Sequence, residues 1–114
     1  MRVLNVTNGS VVATAARRAT GFLDRSRGLL GRKSLSNGEG LLLDPCSGIH
    51  MFFMRFPIDA IFVDKHENVV HLTRRIGPWR LSRYVFRARA VLELPAGTID
   101  ETGTRVGDRL SFED

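Results

Sequence analysis

Residues 58–73 read IDAIFVDKHENVVHLT, and this stretch indicates the fold most directly. Residues 58–63 are mostly apolar, residues 64–68 are polar, and residues 69–73 are again rich in β-branched side chains. Short apolar runs of this kind on either side of turn-forming residues are typical of neighbouring strands. The stretch therefore predicts a strand, a turn and a second strand.

The same pattern recurs along the rest of the chain. Residues 3–7 and 11–16 are separated by Asn8-Gly9, which supplies the positive φ angles of a tight hairpin turn, so we expect two paired strands there. Further short strands are predicted at residues 40–43, 49–55, 90–94 and 109–112, with a loop or single helical turn before Val106.

The best helix candidate spans residues 22–31. Thr20 can cap its start and Gly31 favours a stop, while the apolar face comes from Phe22, Leu23, Leu29 and Leu30. The sequence thus predicts a mainly β fold, a small compact barrel or sandwich of short, mostly antiparallel strands, with one short α-helix near residues 22–31.

Composition indicates a single globular domain. The length of 114 residues suits one domain, expected to span residues 1–114, and 43% hydrophobic residues argue against disorder. Cys46 is the only cysteine, which excludes an intrachain disulfide and fits a reducing compartment. No apolar stretch approaches the roughly 20 residues that span a bilayer. We expect a cytoplasmic protein with no secretion signal and no membrane association.

Four ordered segments resemble the sequence boxes of one family. They are RGLLGR at residues 27–32, HMFFMRFPID at 50–59, VLELPAG at 91–97 and VGD at 106–108. These boxes are similar to those of the domain of unknown function 192 family. The resemblance implies a compact, mainly β barrel or sandwich with one short helix, and it implies no activity. Many relatives have Trp-Met-Lys-Asn where this chain has FMRF at 53–56, which indicates a subgroup.

Cys46 and His50 are the nearest pair of side chains with catalytic chemistry. They could act as nucleophile and base, or as two metal ligands. Four residues along an extended strand span roughly 13 Å, too far for either role. We therefore expect a buried thiol beside a structural histidine and no metal site. A fold-back of the chain at Ser47-Gly48 would keep the alternative open.

Three other charged residues are candidates for the site. Alternation along 91–94 places Glu93 opposite Leu92 and Leu94, where it could be a general acid or base if burial raised its pKa. The alternative is that Glu93 pairs with an arginine. Arg55 and Asp59 are expected to form an ion pair across the intervening bend, although Arg55 could instead face a cleft and bind an anion.

The predicted strand at 49–55 has apolar residues on both faces, so we expect it to be central and covered. Phe52, Phe62 and Leu92 are the predicted core residues. Asp108, in the closing VGD segment, is expected to hold a turn through its short polar side chain.

The basic residues are concentrated in one segment. Six arginines and no acidic residue lie in residues 74–89, while the other residues carry 11 basic and 12 acidic side chains. With the interleaved aromatic rings, this segment could bind single-stranded RNA or an acidic protein. It could also be a solvated loop, or pair with acidic residues elsewhere. The candidate binding residues in it are Arg74, Arg75, Trp79, Arg80 and Arg83.

These observations favour a non-catalytic binding module for a small anionic ligand or a partner segment, with Arg55 near the mouth of its cleft. One alternative is an enzyme that uses Cys46 and His50, with Glu93. The other is RNA or acidic-protein binding through residues 74–89, which no recognised nucleic-acid motif supports. We expect no cofactor. No phosphate-binding loop, serine-hydrolase elbow or zinc-protease motif is present in the sequence.

Overall fold

The computed structural model describes residues 1–21, 24, 25 and 28–114. Within that part of the chain the elements are β1 (Arg2–Asn5), β2 (Val11–Ala13), β3 (Ala15–Ala19), β4 (Glu39–Leu43), β5 (Ile58–Val63), β6 (Val69–Ile76), β7 (Ala90–Pro95), α1 (Thr98–Thr102) and β8 (Leu110–Glu113). The mainly β prediction is confirmed.

The strands form two sheets that do not close into a barrel. One sheet has the order β2-β1-β8 and the other β3-β4-β7-β5-β6. All neighbours are antiparallel except β3 and β4, which run parallel. The predicted pairing of β5 with β6 and the predicted hairpin of β1 and β2 are confirmed.

Each face of the five-stranded sheet buries its own hydrophobic core. On the first face, Leu92 and Leu94 of β7 pack towards Val3 and Leu110 of the smaller sheet. On the second face, Phe62 and Val91 lie under loop residues that include Leu29, Met51 and Met54. Phe62 and Leu92 are fully buried, as predicted. Because strand side chains alternate, Glu93 shares the second face with Val91.

The predicted strand over residues 49–55 is wrong. Only His50 makes a β-bridge, with Leu81, and the Met54 N–H donates to the Met51 carbonyl at 3.2 Å, which closes a turn. Phe52 lies on that turn and is 38% exposed, so its predicted burial is also wrong. The turn buries Met51 and Met54, three residues apart, and a short apolar run does not reveal that spacing.

The predicted arginine-rich loop is more ordered than expected. Residues 74–76 extend β6, and residues 79–89 pair with residues 46–51 in an irregular two-stranded ribbon. The Met51 N–H donates to the Arg80 carbonyl at 2.7 Å, and the Val85 N–H to the Ser47 carbonyl at 2.8 Å. The Cys46 N–H donates to the Arg89 carbonyl at 2.8 Å. We call residues 46–51 and 79–89 the ribbon.

Residues 22, 23, 26 and 27 of the predicted helix at 22–31 lie outside the described residues. Of its described residues, Asp24 and Arg25 are helical, and the Gly28 N–H donates to the Asp24 carbonyl at 3.0 Å. The helical turn predicted before Val106 is α1. Neither the helix α1 nor the other described helical residues form a segment long and apolar enough to cross a membrane.

Asp108 holds a turn, as predicted. Its Oδ2 accepts hydrogen bonds from the Asn5 side-chain amide and from the Arg105 N–H, both at 2.9 Å. Because Asn5 is buried in β1, these bonds tie the approach to β8 to the first strand.

Candidate functional site

A cleft of about 240 Å³ opens between the second face of the large sheet and the loops that cover it. Its polar lining comes from Arg25, Cys46, His50 and Glu93, and its apolar walls include Leu29 and Met54. Cys46, His50 and Glu93 are the three residues proposed from the sequence as catalytic candidates. The structure therefore brings them to one cleft.

Glu93 lies in the middle of the sheet, on the central strand β7, between Leu41 of β4 and Ala60 of β5. The residue is only 6% exposed, and burial raises the pKa of its carboxyl group to about 7. None of the ion pairs among the described residues includes Glu93, so the predicted arginine partner is not found there. At neutral pH this carboxyl group exists in both its neutral and its charged form.

Cys46 is half-buried where the ribbon begins. Its thiol donates to the Gly48 carbonyl at 3.1 Å, because the chain bends at Ser47-Gly48. Burial raises the pKa of the thiol, and the negative charge of Glu93 raises it further. A thiol that keeps its proton at neutral pH is a poor nucleophile.

His50 lies exposed on the ribbon. Its Nδ1 accepts the Phe52 N–H at 3.2 Å, so the neutral ring carries its proton on Nε2. The ring also stacks on Phe52, with 5.1 Å between ring centroids. Cys46 and His50 line one cleft, and the separation expected between their side chains stays a prediction. Within the described residues, no three His, Cys, Asp or Glu side chains are grouped to hold a metal ion.

Arg25 is a cleft residue that sequence analysis missed. Its guanidinium donates to the Thr20 carbonyl at 2.9 Å, and its charge acts on Cys46 by lowering the thiol pKa, a smaller effect than that of burial. Arg25 lies inside the predicted helix 22–31, where an arginine is an ordinary surface residue. Nothing in the local sequence distinguishes it.

The predicted ion pair between Arg55 and Asp59 does not form between these two described residues. Asp59 is buried, and its two oxygens accept three backbone N–H groups, from Arg75 at 2.9 Å, Gly97 at 3.1 Å and Ile99 at 2.9 Å. Three backbone donors stabilise the carboxylate without a cation. Asp59 therefore holds the turn between β7 and α1, while Arg55 is exposed outside the cleft lining.

The family DUF192, described as "Uncharacterized ACR, COG1430", matches residues 3–112. The chain belongs to the DUF192 family. It is 35% identical to the UPF0127 protein PF1050 of Pyrococcus furiosus over 96% of this chain and 97% of that protein. It is 33% identical to a UPF0127 protein of Thermococcus sibiricus over 97% of this chain and 74% of that protein.

The fold of this DUF192 domain also matches a solved structure. A crystal structure of a protein of unknown function from Novosphingobium aromaticivorans superposes with a TM-score of 0.84 at 24% identity, over 97% of this chain and 82% of that chain. At this identity the likeness concerns the fold alone.

The cleft of the DUF192 domain is lined from three of the four family boxes. The first box contributes residues 28–30, and the central box contributes His50 and Met54. The VLELPAG box contributes Glu93. The fourth box supplies the structural Asp108. Three of the four boxes that carry the resemblance thus meet at this cleft.

The arginines of residues 74–89 have different surroundings. Arg74 forms an ion pair with Asp100 at 2.9 Å, and Arg89 forms one with Asp44 at 3.2 Å. Arg80 and Arg83 are exposed and form no ion pair with a described residue. Ion pairs with acidic residues therefore account for two of the six arginines in residues 74–89, and a binding role for the others stays a prediction.

Proposed function

We propose that this DUF192 domain is a binding module whose cleft holds a small anion with an apolar body, such as a short-chain carboxylate. The observation that carries the proposal is the buried carboxyl group of Glu93, which lines the cleft and forms no ion pair with a described residue. Leu29, Leu43 and Met54 supply apolar surface beside it. Concave sites that combine apolar walls with a few converging polar groups are typical of small-molecule sites.

The size of the cleft limits the ligand. A volume of about 240 Å³ is below the roughly 300–1,000 Å³ of pockets that hold drug-sized molecules. A short fatty acid suits a cleft of this size.

The charge of the ligand follows from Arg25 and from the titration of Glu93. An anion would lie near the Arg25 guanidinium and would be repelled by a charged Glu93. Neutral Glu93 can instead donate its O–H to the anion. Binding of an anion should therefore take up a proton, and affinity should fall as pH rises above the Glu93 pKa of about 7.

The test is calorimetric titration with propionate, hexanoate and octanoate at pH 6, 7 and 8. Hexanoate should bind best at pH 6, and above pH 7 its affinity should weaken by up to about tenfold per pH unit. Glu93→Gln should remove this pH dependence, and Glu101→Gln, the same substitution at an exposed position, should retain it. Absence of binding by all three acids, or tighter binding of hexylamine as pH rises, would contradict the proposal.

The enzyme alternative based on Cys46 and His50 receives less support. A nucleophilic cysteine needs a lowered pKa, whereas burial and Glu93 raise the pKa of this thiol. His50 Nδ1 already accepts a backbone N–H, and the thiol donates to a backbone carbonyl. We therefore assign Cys46 and His50 to the cleft lining.

A further inference from the structure

Large exposed hydrophobic side chains are concentrated at one place. Of the nine such residues in the described chain, six lie between residues 52 and 86. Four of them lie on two adjacent turns or at the β-bridge between His50 and Leu81. We call these four residues the tip: Phe52, Phe53, Trp79 and Leu81. The turns are adjacent because the Trp79 N–H donates to the Met51 carbonyl at 2.7 Å.

The tip is held in a specific arrangement. The Phe53 and Trp79 rings have centroids 4.7 Å apart, and Phe52 lies 6.1 Å from Trp79. Phe53 and Trp79 both have left-handed backbone conformations, with φ of +65° and +67°. Such conformations are uncommon for bulky residues and persist only where surrounding structure imposes them. Nevertheless, Phe53 is 70% exposed and Trp79 is 59% exposed, so the imposed geometry presents apolar surface to the outside.

The two stretches of chain that contain the tip carry charge of one sign. No acidic residue occurs in residues 45–58 or 68–92, the two stretches that contain the tip. Arg55, Arg80 and Arg83, each within two residues of a tip residue along the chain, are exposed and form no ion pair with a described residue. Exposed apolar side chains with arginines near them are complementary to a surface that has an apolar interior and an anionic outer layer.

We propose that the tip docks on an anionic phospholipid bilayer. The aromatic rings and Leu81 enter the interfacial layer, where amphipathic rings are favoured, and the arginines bind lipid phosphates. A second copy of the chain is a poor occupant, because two tips would bring arginines against arginines. Single-stranded RNA is less suited, because Leu81 offers no stacking surface and the rings partly cover one another. No membrane association was expected from the sequence, but that expectation rested on membrane-spanning segments, which docking does not require.

Trp79 provides a direct readout because it is the only tryptophan in the chain. Its emission should shift to shorter wavelength when the 114-residue chain is mixed with phosphatidylglycerol vesicles, and the protein should sediment with them. Phosphatidylcholine vesicles should give a much weaker effect, and 1 M NaCl should reverse the binding because salt screens surface charges.

Matched variants locate the contact. Arg55→Gln and Arg80→Gln should each weaken vesicle binding about fivefold, since an arginine near an anionic surface contributes that much. Arg105→Gln and Arg109→Gln, which make the same change of net charge at exposed positions beside the smaller sheet, should have little effect. Phe53→Asn should also weaken binding, and Asn tolerates the left-handed conformation at this position. Leu81→Ser removes apolar surface without that constraint and serves as the second variant.

Three results would overturn the proposal. The first is the absence of an emission shift or of sedimentation with phosphatidylglycerol vesicles at low salt. The second is an equal loss of binding in the tip variants and in the Arg105 and Arg109 controls, which would mean attraction by net charge alone. The third is stronger binding to poly(U) or polyglutamate than to vesicles, or self-association through the tip in light scattering. None of these results depends on whether the cleft binds an anion.

Discussion

Substitution of a buried residue usually destabilises a protein, but Glu93→Gln should stabilise this protein at neutral and higher pH. Glu93 is 6% exposed, and its ordinary pKa of 4.5 is raised to about 7 by burial. The unfolded chain therefore ionises this carboxyl group at a lower pH than the folded chain does. Between these two pKa values the folded state binds more protons, so its stability falls as pH rises.

The size of the effect follows from the two pKa values. Each pKa unit corresponds to about 1.4 kcal/mol, so a rise from 4.5 to about 7 makes the charged carboxylate destabilising by about 3 kcal/mol. This penalty is absent well below pH 4.5, grows between pH 4.5 and 7, and is constant above that range. Gln has nearly the same shape as Glu and carries no charge, so the variant should not be destabilised in this way as pH rises.

The assay is urea unfolding of the parent and of Glu93→Gln at half-unit steps from pH 4 to pH 9. The informative quantity is the difference in free energy of unfolding between the two proteins, because any pH-independent change in packing or hydrogen bonding only offsets it. That difference should move in favour of the variant by about 3 kcal/mol across the range. Glu101→Gln, at an exposed position, should show no comparable trend. A flat difference, or one that moves in favour of the parent as pH rises, would refute the reasoning about Glu93.

Three further predictions concern the core, the β7–α1 turn and the thiol. Phe62→Ala should lower the free energy of unfolding by about 3–5 kcal/mol and Phe52→Ala by less than about 1.5 kcal/mol, and chemical denaturation would contradict us if the two losses were equal. Asp59→Ala leaves three backbone N–H groups without an acceptor and should cost at least about 3 kcal/mol in the same assay, so a near-neutral result would argue against its role. Cys46 should react with iodoacetamide at pH 7 more slowly than free cysteine, because burial raises its pKa, and fast alkylation would restore the enzyme alternative.

Local sequence patterns were sufficient for elements whose partners follow within a few residues. Residues 58–73 predicted β5 and β6 because both strands and their turn are contiguous, and Asn8-Gly9 did the same for the first hairpin. Alternation within β7 also placed Glu93 correctly on the face opposite Leu92 and Leu94.

Pairing between segments that are far apart in the sequence could not be predicted from local patterns. Residues 49–55 resemble a buried strand when taken alone, but the backbone groups of Ile49 and Met51 pair with residues 79–82, which lie about thirty positions later. That pairing leaves Phe52 outside and Met51 inside, and no local pattern distinguishes the two. Arg25 was missed for the same reason, since Arg25, Cys46 and Glu93 belong to separate segments that meet only in the folded chain.

His50 belongs to both candidate surfaces, and this decides which variants can test them separately. Its ring lines the cleft and stacks on Phe52 of the tip at 5.1 Å. A substitution at His50 or Phe52 would change the mouth of the cleft and the apolar surface of the tip together, so a loss of binding would have two explanations. Glu93 lies at the cleft on the central strand, whereas Phe53, Arg55 and Arg80 are exposed and absent from the cleft lining. Glu93→Gln therefore tests only the anion site, and the tip variants test only vesicle binding, so each proposal can fail while the other stands.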